Sequence, residues 1–336
     1  MAKVTESRTD SPVHREQRGR EIRTNVLVAL VLLGGISLHS GTAFGWAGPG
    51  HMQVAAVAFD QLKPAVKTKV AALLRENPNY NDWVKSASKK DAPKIAFITA
   101  ATWPDYIKTQ HNTYTDDGDH SSGAPESKQN IGYPDHLMHK YWHYIDIPFS
   151  PDGTATQPED PVNAKVEIAT FHAALASKDK KVTKAIKSYD LVWLLHLVGD
   201  VHQPLHCTSR FDKVDPHGDS GGNNVKVCEA QNCGEKLHAV WDDFPGKTAT
   251  PAEAIAAASV LKPADPKLVA IQDEGAWVQE SFEEAKADVY VTPIGVGSQA
   301  FALTPDYLQK GKALADERVA LAGARLAGLL NAALKL

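Results

Sequence analysis

The chain has few cysteines and few strand patterns, and both facts limit the fold classes to which it can belong. The 336 residues include three cysteines, which are too few for a fold held together by disulfides. Cys228 and Cys233 flank a four-residue loop and could form one disulfide in an oxidising compartment, or both could be bystanders, with Cys207 left over. The sequence has no internal repeat and no long low-complexity tract. Hydrophobic residues make up 43% of the chain, enough for the core of one large domain.

The first 45 residues differ in composition from the rest. They contain an Arg-rich leader, an apolar run over residues 26–38, and small residues at Ala43 and Gly45. That run has 13 residues, whereas a membrane-spanning helix needs about 20. The pattern therefore predicts a cleaved signal peptide over residues 1–45 and a secreted or periplasmic protein. Cleavage after Gly45 would free the α-amine of Trp46, which can chelate a metal together with its own carbonyl oxygen.

The remaining chain is acidic. Residues 46–336 carry a net charge of −6, because the leader holds six of the 36 Lys and Arg and four of the 40 Asp and Glu. This balance argues against broad electrostatic binding of duplex nucleic acid. It leaves room for a local metal cluster that attracts phosphate.

Apolar residues recur mainly at helical spacing. Polar loops are predicted over residues 108–140 and 208–236, the second with short strands near NNVKVCE. We therefore predict a single mostly α-helical domain over residues 46–336. The predicted helices cover residues 52–62, 65–74, 161–177 and 182–203 and most of the last hundred residues.

The segment LVWLLHLVGDVHQPLHC, residues 191–207, combines an apolar helix with metal-ligand chemistry. His196 and Asp200 are four residues apart and share one helix face. Pro204 stops the helix, and His206 follows it. Burial of an imidazole and a carboxylate is costly unless they are paired, and a metal ion is a suitable partner.

Matching ligands occur elsewhere in apolar surroundings. His238 and Asp242 are again four residues apart on a predicted helical turn. Nitrogen and oxygen ligands of this kind suit zinc, and so many of them can hold more than one ion. His202 lies off the face of His196, so we interpret it as structural. The additional candidate ligands are Trp46, His51, Asp105 and His143. The histidines expected to be solvated in loops are His111, His120, His136, His139 and His217.

These nine candidate ligands, with the motifs WAGPGH, HLVGDVHQPLH, GGNN and LHAVWD, resemble the S1/P1 nuclease family. Members are zinc-dependent, single-strand-preferring endonucleases and 3′-nucleotidases with a helical fold of the zinc phospholipase C / P1 nuclease type. The resemblance implies three zinc ions. Asp105, His143 and His196 would hold the first ion, together with Asp200. Trp46 and His51 would hold the second ion and share the same Asp200. The third ion would be held by His206, His238 and Asp242.

The resemblance also implies the chemistry. Asp105 would orient the attacking water or accept its proton. Lys108 occupies a position where fungal members tend to carry Arg, and would neutralise phosphate without the bidentate fork of a guanidinium. The expected substrates are single-stranded DNA and RNA, cut to 5′-phosphorylated products, and 3′-nucleotides. The expected protein is a monomer with no stable protein partner.

A base-binding site follows from the same resemblance. Tyr144, in place of the more familiar Phe, would stack on an unpaired base, and Asp146 would accept hydrogen bonds from its edge. Gly221 and Gly222 would let the backbone approach the opposite face of the base, with Asn223 close by.

Two alternatives remain open. A zinc phospholipase C shares the trinuclear core, but tends to end its third-zinc motif in His-x-x-x-Glu where this chain has His238 and Asp242. A non-catalytic exported zinc-binding protein would be supported by closed sites with four protein ligands, whereas the implied sites leave open positions, which suits catalysis.

Overall fold

Prolines begin many of the helices in this protein. The computed structural model describes residues 46–247 and 250–335, so the predicted leader and the cleavage site lie outside the described residues. Pro64, Pro251 and Pro305 each occupy the first position of a helix, where the missing N–H costs no hydrogen bond. Within the described ranges the helices are α1 Gly48–Gln61, α2 Pro64–Leu74, α3 Tyr80–Val84, α4 Ala92–Ala100, α5 Trp103–Ile107, α6 Ala164–Ala176, α7 Lys184–Asp200, α8 Leu237–Asp243, α9 Pro251–Ser259, α10 Pro266–Val269, α11 Glu274–Glu284 and α12 Pro305–Ala333.

The fold is mostly α-helical, as predicted, with about 52% of the described residues helical. Helices α1, α2, α6 and α7 fall where the apolar spacing placed them, within a few residues at each end. Helix α4 was not predicted. Its sequence, APKIAFITA, is apolar on nearly every side, so it carries little periodicity. No helix among the described residues is long and apolar enough to cross a membrane.

Helix α7 is the centre of the core. The Thr183 side chain accepts a hydrogen bond from the Ile186 backbone N–H and caps the helix. Every residue from Ser188 to Asp200 is buried, and the helix packs against α1, α2, α5, α6 and α12. Its last turn therefore presents His196 and Asp200 to the interior, where several helices meet.

A network of charged side chains around two buried arginines holds the turn that follows α7. The Arg325 guanidinium donates to both carboxylate oxygens of Glu280, at 2.7 and 2.8 Å. It also lies 3.0 Å from His202 Nε2, while Arg318 donates to the His202 carbonyl oxygen at 3.2 Å. The opposite ring nitrogen of His202 donates to the Val198 carbonyl oxygen at 2.7 Å. This arrangement agrees with the structural role expected for His202.

Short strands bring the loops to the core. Strand β1 (Pro148–Phe149) pairs in parallel with β2 (Ser209–Arg210), and β3 (Lys226–Glu229) pairs with β4 (Asn232–Lys236) and with β5 (Phe301–Ala302). The β3–β4 hairpin carries a disulfide between Cys228 and Cys233, one of the two outcomes that the spacing left open. The hairpin leads directly into α8.

One expectation about the loops is wrong. His139 is fully buried rather than solvated. Its ring stacks on Trp142, with centroids 3.5 Å apart, and its Nε2 lies 2.6 Å from an oxygen of Asp135, while Nδ1 lies 3.2 Å from Asp117. Paired carboxylates compensate the burial of the imidazole, and no local spacing revealed that pairing. Four other loop histidines, His111, His120, His136 and His217, are exposed as expected.

Candidate metal centre

The candidate ligands come from six separate elements that end at one place. His51 lies in the first turn of α1, Asp105 lies in α5, and His196 and Asp200 occupy the last turns of α7. Two 3-10 turns, Lys140–His143 and Pro204–Cys207, carry His143 and His206, and α8 carries His238 and Asp242. None of these side chains belongs to a residue more than 9% exposed. Three groups of them are close enough to hold a metal ion: Asp105, His143 and His196; His51, His196 and Asp200; and His206, His238 and Asp242.

The first group has the dimensions of a zinc site. His196 Nε2 and His143 Nδ1 are 3.0 Å apart. An oxygen of Asp200 lies 3.2 Å from His196 Nε2 and 3.1 Å from His143 Nδ1, and Asp105 Oδ1 lies 3.5 and 3.8 Å from the same two nitrogens. Ligands at the corners of a tetrahedron around zinc, with bonds of about 2.0–2.1 Å, stand about 3.3–3.4 Å apart. The atoms of His143, His196 and Asp200 therefore have the spacing of ligands around one tetrahedral ion, and Asp105 Oδ1 lies somewhat farther from the two histidines.

The second group is centred on His51. Its ring stacks on His196, with centroids 3.7 Å apart, and its Nε2 lies 3.3 Å from Asp200 Oδ1. Neither ring nitrogen of His51 has a hydrogen-bond partner among the described residues. Gly199 makes this approach possible, because a Cβ there would lie 2.8 Å from His51 Nδ1. Trp46 is fully buried beside this group.

The third group joins the turn after α7 to α8. The Nδ1 atoms of His206 and His238 donate to the backbone carbonyls of His143 and Gly221, at 2.8 and 2.7 Å. In a neutral imidazole the other nitrogen is then a bare acceptor. These two acceptors, the Nε2 atoms, face each other at 3.1 Å, an arrangement that a cation between them stabilises. Asp242 Oδ2 lies 3.5 Å from His238 Nε2.

Backbone carbonyls and one amide orient the candidate ligands. His196 Nδ1 donates to the Ala101 carbonyl oxygen at 2.7 Å, so its Nε2 faces the first group. Gln203, which is fully buried, donates to Asp242 Oδ1 at 2.7 Å and accepts from the Leu205 N–H at 2.5 Å. Such outer partners set ring tautomers and ligand basicity in metal sites. Gln203 was not predicted, although its place between His202 and Pro204 in a buried ligand-rich turn was a usable signal.

Gly221 is needed for this geometry. Its φ is +60°, and a Cβ there would lie 2.3 Å from the Leu205 carbonyl oxygen. Any other residue would push the Gly221 backbone, and the carbonyl that orients His238, away from the site.

The electrostatics favour the ligating forms of several side chains. Burial opposes ionisation of Asp105, but Lys108, whose Nζ is 2.7 Å away, and His196 hold its pKa well below its usual value. Burial, reinforced by Lys108, lowers the pKa of His143 to about 3, so its imidazole is neutral. The pKa of His196 is raised, against burial, by Asp200 and Asp105. This shift favours the protonated form of His196, with which a metal ion would compete.

A cavity of about 320 Å³ opens beside the third group. Lys108, Tyr144, Asp146, Gly221 and Asn223, all predicted from the sequence, contribute to its walls. A Cβ added at Gly222 would point towards Leu205 and Leu237 and would lie 3.4–3.5 Å from their side chains. The walls also include residues that were not predicted to line a site: Asp119, His120, Lys140, Ser220, Asn224 and Lys236.

Hydrogen bonds hold the Tyr144 side chain and the backbone next to it. The Tyr144 hydroxyl donates to the Asp119 carbonyl oxygen. The Ile145 N–H donates to the His206 carbonyl oxygen at 2.8 Å, which places this segment beside the third group. Burial, with Asp219 and Asp160 nearby, raises the pKa of Asp146 to about 7.

A family model described as S1/P1 Nuclease matches residues 46–335, which include every candidate ligand named above. The chain belongs to the S1/P1 nuclease family. Endonuclease 3 of Arabidopsis thaliana is 26% identical over 199 residues, which are 59% of this chain and 54% of that protein. The chain thus spans about half the length of the curated relative that it matches.

Proposed function

We propose that this protein is a zinc-dependent phosphodiesterase that cuts single-stranded DNA and RNA to 5′-phosphorylated products and removes phosphate from 3′-nucleotides. The observation that carries the proposal is the convergence of three buried His/Asp groups beside a cavity large enough for a nucleotide. Family membership supports the same reaction class. Zinc suits the ligand set of imidazoles and carboxylates and the tetrahedral spacing of the first group.

Zinc ions in these groups would lower the pKa of bound water and neutralise negative charge on phosphate. The protein side chains supply the rest. Asp105 is anionic and lies at the edge of the first group, where it can orient the attacking water or take its proton. Lys108 is buried, lines the cavity and can bind a phosphate oxygen there.

The preference for single strands follows from the base site. Tyr144 and Asp146 lie on the wall of the cavity, and the face of a tyrosine ring can stack only on a base that has left its duplex. Stacking of this kind contributes about 1–3 kcal/mol per base. Asn223 and the backbone at Gly221 and Gly222 would contact the base from the other side.

We propose that the mature chain begins at Trp46 after export to the periplasm or the medium. The family match starts at this residue, and a free α-amine there would complete the ligands around His51. The Cys228–Cys233 disulfide is compatible with an oxidising compartment.

Asp200→Asn and Asp190→Asn form a matched pair that tests the function. Both aspartates are fully buried on α7, but Asp200 alone belongs to a ligand group. We expect Asp200→Asn to lose bound zinc and the hydrolysis of single-stranded DNA and RNA, while Asp190→Asn keeps both. We also expect EDTA to abolish activity and added zinc to restore it.

Other outcomes would overturn the proposal. Hydrolysis by the metal-free protein would rule out the mechanism. Release of phosphocholine from lecithin without cleavage of single strands would identify a phospholipase. A zinc-loaded protein that is inert towards every phosphodiester would be a zinc-binding protein without catalytic function.

A further inference from the structure

A second groove lies at the other end of α7, away from the metal groups. Its volume is about 580 Å³, larger than the cavity beside the third group. The apolar part of its wall includes Leu73, Leu175 and Leu334, and four lysines surround it: Lys69, Lys178, Lys187 and Lys335. The groove therefore combines apolar surface with positive charge.

Two of the four lysines are held in place by helix ends. Lys69 Nζ donates to the carbonyl oxygens of Leu334 and Lys335, at 3.3 and 2.9 Å. Lys187 Nζ donates to those of Leu175 and Ser177, at 3.1 and 2.5 Å. An ammonium group has three donors, so each of these lysines retains one for a ligand. Holding them in place reduces the entropy lost when an anion binds.

The other two lysines extend the positive charge into solvent. Lys178 and Lys335 are exposed. Residues 177–187 contain five lysines and one aspartate, in a chain whose net charge is negative. Among the described residues, none of the four groove lysines forms an ion pair with a carboxylate, whereas the neighbouring Lys184 pairs with Glu76 at 2.6 Å. The groove is thus a local positive site on an acidic protein.

The groove is too far from the metal groups to be part of them. Lys187 and Asp200 are separated by 13 residues of one helix, which corresponds to about 20 Å at a rise of about 1.5 Å per residue. A stacked strand advances about 3.4 Å per nucleotide. A nucleic acid chain that occupies both places must therefore extend about six nucleotides or more beyond the cut.

We propose that this lysine-lined groove binds single-stranded nucleic acid at a distance from the cleaved bond, with phosphates on the lysines and a base against the apolar wall. The inference rests on the proposed function, which makes the substrate a polyanion with exposed bases. Apolar surface combined with a cationic rim matches the two parts of a single-stranded nucleotide. Substrates longer than about six nucleotides would gain affinity from the groove, and dinucleotides would not.

The test is the double variant Lys178→Gln with Lys335→Gln, because both residues are exposed on the groove rim. The control is Lys180→Gln with Lys181→Gln, two exposed lysines of the same loop that are not among the groove residues. Each zinc-loaded protein is titrated, by fluorescence anisotropy, with a phosphorothioate strand of about 20 nucleotides at several salt concentrations. The KM for a dinucleotide is measured in parallel.

We expect the groove variant to lose two phosphate contacts, which lowers the slope of log affinity against log salt by about 1.4. Between 50 and 200 mM salt, the affinity of each protein for the long strand falls by some factor. That factor would be about seven times larger for the parent than for the groove variant. The control variant should keep the parent slope, and all three proteins should share one dinucleotide KM. Equal salt slopes for the parent and the groove variant would overturn the inference.

The two proposals fail in distinguishable ways. If the proposed function is wrong, the parent protein will not hydrolyse the dinucleotide at all. If only the groove is wrong, hydrolysis will be normal but the variants will bind the long strand alike. Binding to anionic phospholipid vesicles that is lost in the groove variant, with affinity for the strand unchanged, would also overturn the inference and assign the groove to a membrane surface.

Discussion

Replacement of Gln203 by alanine should weaken one metal site selectively. The Gln203 carboxamide joins two parts of the third group, because it donates to Asp242 Oδ1 at 2.7 Å and accepts from the Leu205 N–H at 2.5 Å. Alanine removes both contacts. Asp242 would then be free to rotate away from His238, whose Nε2 is 3.5 Å from the other carboxylate oxygen.

The expected loss of zinc affinity follows from the role of Gln203 as the hydrogen-bond partner of a candidate metal ligand. Loss of an outer hydrogen bond to a metal ligand typically lowers metal affinity about 10–100-fold, which is about 1.4–2.7 kcal/mol. The structure confines this loss to the group of His206, His238 and Asp242. We therefore expect one of the three proposed zinc ions to become easier to remove, with a smaller change in the other two. Hydrolysis should fall with the occupancy of that site and recover at high zinc concentration.

Competition with a chromophoric zinc chelator measures the prediction, with zinc per molecule determined by elemental analysis. Gln53→Ala is the matched control, because Gln53 is as buried as Gln203 but donates to the Pro245 carbonyl oxygen at 2.9 Å instead of to a ligand. Both variants should lose thermal stability, and Gln203→Ala alone should lose zinc affinity. If the two variants release zinc at the same chelator concentration as the parent, the positioning role of Gln203 is refuted.

Three further predictions concern stability, substrate binding and the N-terminus. Burial raises the pKa of Asp190 to about 8 and that of Glu167 to about 7. The folded state therefore binds protons that an unfolded chain releases near pH 4. The free energy of unfolding should fall as pH rises from about 4 to 8, by up to about 1.4 kcal/mol per pH unit for each group. Asp190→Asn should reduce that slope in urea titrations at several pH values, and an unchanged slope would contradict the assignment. Tyr144→Ala should raise the KM for nucleotides without loss of zinc, and Tyr144→Phe should restore it; parallel loss of zinc would mean that Tyr144 is structural. One extra residue before Trp46 in the mature protein should remove the zinc bound near His51, and full zinc content in that protein would disprove the role of the α-amine.

Much of the candidate site could be found from sequence because it obeys local rules. A spacing of four residues placed His196 beside Asp200 and His238 beside Asp242, since both pairs lie on helices. Pro204 marked the turn that presents His206. These expectations needed no knowledge of which elements meet in space.

Other features depended on contacts between distant segments. The sequence predicts that His139 is a solvated loop residue. It is buried instead, because Asp117 and Asp135 pair with its ring. The groove lysines Lys69 and Lys187 lie more than a hundred residues apart in the chain, and only the packing of α2 beside α7 brings them together.

The amino-acid sequence alone determined the mostly helical class, the ligand types and their order along the chain, because periodicity and spacing are properties of a single segment. The tertiary structure decided which candidate ligands lie close enough to share an ion, which carbonyls orient the imidazoles, and which amide supports Asp242. Those choices require atoms from six elements to lie within a few ångströms of one another, and that proximity results from the packing of the whole core around α7.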